Sequence, residues 1–198
     1  MCSQSELFRL ACRKHPNAKR DFKEAQSGII EIPCRKIDIN TTESDDFRWD
    51  ADLEDTKCVR LMIHYFHHLD YLEDETAKLK KQKRDNEDFD KTHVLKTGLL
   101  IEHAKMYAMG DKYGIRGLKA LALKKYEEAY LHTSAGFANS ITVAFTSTID
   151  SDMNLRNVII MNLYHDMTNL MSKPKIDQTV KDLPLLCHTL LRKSLLLP

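Results

Sequence analysis

Two apolar helical faces joined at one tight corner constrain this chain more than any other feature. Residues 99–130, LLIEHAKMYAMGDKYGIRGLKALALKKYEEAY, carry Leu100, Ala104, Tyr107 and Ala108 at steps of four, three and one, which places them on one helix face. Leu118, Leu121, Ala122, Tyr126 and Ala129 do the same for a second helix. Gly114 stands between them, where a helix C-terminus favours a residue with positive φ, and Ile115 can fold back over the last turn. Neither face is stable in water alone, so the spacing predicts an obligate helix pair packed on further protein. The pattern contains no chemistry.

Length and charge remove several function classes. With 198 residues the chain suits one domain, or one domain with an appendage, and is long enough for a real core. Its 30 basic and 29 acidic side chains nearly cancel, so nothing global favours DNA, RNA or an anionic membrane as partner. No run approaches the roughly 20 apolar residues that span a bilayer. The opening MCSQSELFRLACRKH lacks the apolar core of a secretion signal. Cys2, Cys12, Cys34, Cys58 and Cys187 are odd in number and scattered, which predicts reduced thiols in cytoplasm or nucleus rather than a disulfide framework.

Outside the central pair the chain reads as mostly α. Residues 3–14 suit a short helix with Leu7, Phe8 and Ala11 inward, ended by Pro16 and Asn17. Ile29, Ile30 and Ile32 form a β-prone run closed by Pro33, and Ile37 and Ile39 offer a second short strand. A helix starting near Asp55 or Thr56 carries Val59, Met62, Ile63 and Phe66. Residues 73–91 mix both charges and read as a solvated loop, including the basic KKQKR of residues 80–84. Further on, Ser134 suits the cap of a helix with Phe137, Ile141, Ala144 and Phe145. Ser151 or Asp152 suits that of a longer one with Leu155, Val158, Ile159, Leu163, Met167 and Leu170. Pro174 ends that run, and Pro184 divides Ile176, Val180 and Leu183 from Leu186, Leu190 and Leu191.

Candidate chemistry is sparse. His64, His67 and His68 share a face near a helix end, and imidazoles one turn apart can hold zinc, but Cys58 points elsewhere and no third ligand is marked. The expectation is therefore no metal and no cofactor; the alternative is a small metal-dependent enzyme built on His64 and His67. Cys187-His188 and Cys12 with His15 have no CxxC partner, and no glycine-rich phosphate loop or catalytic constellation marks an enzyme. Tyr65, Phe66, Leu69 and Tyr71 suit either core packing or an anchor patch, and are the candidate protein interface.

Residues 103–129, HAKMYAMGDKYGIRGLKALALKKYEEA, resemble the last two helices of the BTB/POZ domain in its fungal form. Three other stretches fit in order: FKEAQSGIIEIP (22–33), VRLMIHYFHHLDY (59–71) and FANSITVAFTSTIDSDMNLR (137–156). The resemblance implies a partial BTB/POZ-like domain over residues 1–130, with one short strand or two, and a C-terminal helical extension over 131–198. It implies that the domain's first strands and histidine-bearing helix are missing, through a truncated gene model, a fragment, or strands borrowed from a partner. An insertion of about sixteen residues within 34–50 is expected on the same comparison. The implied function is a non-catalytic protein-interaction module that self-associates or recruits a partner; the alternative is a substrate adaptor binding a cullin scaffold in a ubiquitin ligase.

Overall fold

A computed structural model describes Ser5, Phe8 and residues 29–34, 54–71, 99–132 and 136–196. Helix accounts for 78% of them, so the mostly-α expectation holds. The 34–50 insertion (Cys34 apart), the 73–91 loop and the body of the 3–14 helix lie outside the described residues.

Asp55 begins the first helix, α1 (Thr56–His68), by accepting a bond from the Lys57 N–H at 2.9 Å. Leu69 ends it in the left-handed region, φ 57°, where its N–H reaches the Tyr65 carbonyl at 2.8 Å. The buried face is Cys58, Met62, Tyr65 and Phe66. Val59 is only half-buried and Ile63 is exposed. The stripe is thus turned from the one expected, because a thiol packs as a small hydrophobe.

Helices α2 (Leu99–Lys112) and α3 (Arg116–His132) are the expected pair, and Gly114 takes φ 62° at the corner. Ile115 is wholly buried there, and its N–H reaches back to the Gly110 carbonyl at 2.8 Å. Then come α4 (Phe137–Ser147), α5 (Asn154–His165), α6 (Met167–Met171), α7 (Pro174–Asp182) and α8 (Pro184–Leu196). Both prolines sit at helix starts, where a missing N–H costs nothing. Gly136, at φ 77°, precedes α4 in the position expected of Ser134; Met153 rather than Ser151 or Asp152 precedes α5. The long helix expected across residues 155–170 is broken at Asp166 into α5 and α6.

No strand forms among the described residues. The Ile29–Ile32 run carries no ladder; the only pairing there is an isolated parallel bridge between Cys34 and Glu54, where the Glu54 N–H reaches the Pro33 carbonyl at 2.9 Å. Pro33 brings no N–H of its own to extend it.

Contacts divide the chain into two compact units. The first comprises Met1–Asn86 and Met109–Leu121, the second Glu87–Ala108 and Ala122–Pro198. The division runs through α2 and α3. In the first unit, Phe66 and Tyr113 meet Phe8 at tilted angles, with ring centroids 5.9 and 5.6 Å from Phe8. Two glycines permit close approach within it. A Cβ on Gly110 would lie 2.7 Å from the Lys119 backbone nitrogen, and one on Gly117 would lie 2.2 Å from the Tyr65 hydroxyl. In the second unit α4 packs on α5 and α7, and α8 packs on α5.

Candidate functional site

Three of the four candidate interface residues lie inside the first unit. Tyr65, Phe66 and Tyr71 are buried, the last completely, while Leu69 is 63% exposed because its left-handed backbone turns it out at the helix end. The anchor-patch expectation is therefore corrected for the three aromatics, which are core. Beside them a polar cluster holds the unit together. Glu54 is buried and accepts from Lys112 Nζ at 2.7 Å and from the Tyr113 hydroxyl at 3.1 Å. Ser5 donates to the Tyr113 carbonyl at 2.5 Å. Burial, then the Glu54 carboxylate, push the Tyr113 phenol above its ordinary range, so it stays a donor.

Of the three histidines that share a face, the structure brings together the pair one turn apart. His64 and His68 stack, with centroids 4.2 Å apart, whereas His67 stands 6.4 Å from His68 and is exposed. The expected His64–His67 pairing is replaced by the i, i+4 pair. Among the described residues no group of three or more histidines, cysteines or acidic side chains is placed to hold a metal ion. The alternative of a metal-dependent enzyme thus gains no ligand set from the structure.

In the second unit the buried polar groups are paired for structural ends. The Tyr107 hydroxyl donates to both oxygens of the buried Asp152 carboxylate, at 2.7 and 2.8 Å, and Asp152 also meets the Asn154 N–H at the start of α5. Tyr126 and Ser140 share a bond at 2.8 Å. Burial, reinforced by Lys125, lowers the His103 imidazole to about 3 and keeps it neutral.

Sequence reasoning missed Arg156, the largest of the fully buried side chains. Its guanidinium donates to the carbonyls of Ala144, Phe145 and Thr148 at 3.4, 3.3 and 2.7 Å, to the Thr148 hydroxyl at 3.2 Å and to Asp150 at 2.9 Å. It sits in the first turn of its own helix, α5, where a cation opposes the helix dipole, but it reaches the last carbonyls of α4, where a cation is favoured. That mismatch was the available signal.

The remaining feature is apolar surface. On α8, Leu186 and Leu190 are buried, while Leu185, Leu191 and Leu195 are exposed at 48%, 59% and 77%. At about 100° per residue these three share an arc of about 120° away from the buried pair. The helix from Pro184 to Leu196 contains no acidic residue, and Arg192 is exposed within the same face.

No family model matches the chain, and neither a curated protein nor a solved structure matches it significantly. No helix of the described residues is long and apolar enough to cross a membrane.

Proposed function

We propose that this chain is a non-catalytic protein-interaction module of the BTB/POZ type, acting by burying apolar helix surface against a second copy or another protein. The observation that carries the proposal is the double-faced α8: leucines on one side pack on the unit, and Leu185, Leu191 and Leu195 lie in solvent. A helix apolar on both sides gains from a second contact, since each buried leucine contributes about 1.5–3 kcal/mol. The BTB/POZ assignment is supported by four motifs in family order. Cys34, Cys58 and Cys187 are free thiols, which fits a reducing compartment in cytoplasm or nucleus.

The proposal is tested by sedimentation equilibrium of the full chain from micromolar to near-millimolar concentration. A reversible rise in average mass with concentration is expected. A folded monomer throughout contradicts self-association, and a failed pull-down with a cullin scaffold would in addition remove the adaptor alternative.

A further inference from the structure

We propose that His64 and His68 form a two-point site for an imidazole-preferring divalent cation of the zinc class, at the C-terminal end of α1. The two histidines are one helical turn apart, and their rings already stack with centroids 4.2 Å apart and planes inclined by 29°. Zinc–nitrogen bonds of 2.0–2.1 Å in a tetrahedron put two ligating nitrogens about 3.3 Å and the two ring centroids about 5 Å apart, so the stacked rings must open by roughly an ångström and tilt toward a shared ion. Side-chain torsions of imidazoles are broad enough to allow that.

A second observation points the same way. His64 Nδ1 lies 2.9 Å from the Asp70 carbonyl oxygen. A carbonyl can only accept, so Nδ1 carries a proton and Nε2 is the nitrogen that a metal ion would take. Histidines that bind metals are held in this manner, with the other ring N–H given to a carbonyl or carboxylate. The sequence supplies the hold through Leu69, whose left-handed backbone (φ 57°) ends α1 as the chain turns into Asp70. His64 is half-buried and His68 exposed, so an ion has access from solvent.

No third histidine, thiol or carboxylate among the described residues completes a closed site. Water would fill the remaining positions, which makes the site open and exchangeable, unlike a closed structural zinc centre. Imidazole ligands select zinc, copper or nickel over magnesium or calcium. Bridging one turn also ties down the end of α1. The site stands independently of the interaction role proposed above.

Zinc alone is the probe, titrated calorimetrically into the full chain and into His64→Ala, His68→Ala and His67→Ala variants. One binding event in the wild type should weaken about tenfold or more in each of the first two and be unchanged in the third. His68→Ala leaves the His64–Asp70 bond in place, so its loss of binding is not a folding effect; circular dichroism of each variant checks this. Zinc should raise the thermal midpoint of the wild type and of His67→Ala only. Other histidines and thiols of the chain contribute equally to all four proteins and cancel in the comparison. Coincident curves for wild type and His68→Ala, or loss of binding in His67→Ala, overturn the proposal.

Discussion

Replacing Arg156 by alanine should cost this protein more stability than any single surface change, and the reason is separable by experiment. The guanidinium is wholly buried, and three of its acceptors are backbone carbonyls at or just beyond the end of α4, with the Thr148 hydroxyl a fourth. Its one acidic partner, Asp150, is 88% exposed at the side chain. An exposed carboxylate loses little on being left alone, because water solvates it, so that ion pair contributes under about 1 kcal/mol. The Ala144 carbonyl keeps the Thr148 hydroxyl as a donor at 2.7 Å, so the loss falls on the other acceptors: a buried acceptor deprived of a donor costs about 1–3 kcal/mol before relaxation, and the vacated volume adds a cavity term. Arg156→Ala is therefore expected to lose about 3–5 kcal/mol, in the range found for breaking buried charged networks, and Asp150→Ala under about 1 kcal/mol. Arg156→Lys keeps the charge but not the planar fork, and should fall between them. Urea unfolding followed by far-ultraviolet circular dichroism gives all three values by linear extrapolation. Equal losses for Arg156→Ala and Asp150→Ala would falsify the carbonyl-capping explanation and assign the stabilisation to the ion pair.

Gly117→Ala should destabilise by about 1–3 kcal/mol through overpacking, since the new methyl group meets the Tyr65 hydroxyl at 2.2 Å. In a Tyr65→Phe background the next atom is 3.5 Å away, and the same substitution should become neutral or gain up to about 1 kcal/mol from helix propensity; a double-mutant cycle with no coupling refutes this. Gly110→Ala meets backbone atoms of Lys119 and should find no such rescue. His103 also predicts a pH dependence. Its folded-state value is lowered to about 3 from 6.5, so the unfolded chain binds the proton first, and stability present above pH 6.5 is lost as pH falls toward 3. The slope approaches about 1.4 kcal/mol per pH unit, and His103→Gln should flatten it; parallel urea midpoints for the two proteins across that window contradict the assignment.

What the sequence discloses is whatever repeats at helical spacing. Leu100, Ala104, Tyr107 and Ala108 are buried as their spacing predicts, and Gly114 with Ile115 makes the expected corner. Gly110 and Gly117 escaped notice because a close approach depends on a neighbouring helix rather than on the local chain. Arg156 was overlooked for a related reason: beyond the weak signal of a cation in a first turn, a charge inside an apolar period reads as solvent-facing, and only the tertiary fold supplies the carbonyls that make its burial favourable. Tyr65, Phe66 and Tyr71 suited core or interface, since residue type alone does not set which side of a helix faces solvent. The His64–His68 pairing follows from helical spacing, but the His64–Asp70 bond lies beyond the left-handed residue Leu69, a conformation no sequence rule assigns to leucine. Leu186, Leu190 and Leu191 were grouped as apolar without regard to side, so the two faces of α8 became distinct only in the fold.

The most direct measurement of the interaction role is sedimentation equilibrium of a Leu191→Glu, Leu195→Glu double variant beside the wild type. Both side chains already lie in solvent, so circular dichroism and the unfolding midpoint should be unchanged within about 0.5 kcal/mol per site. If α8 presents the contact surface, the wild type associates and the double variant sediments as a monomer at every concentration. A variant that is folded and associates as strongly as the wild type contradicts the assignment of that surface.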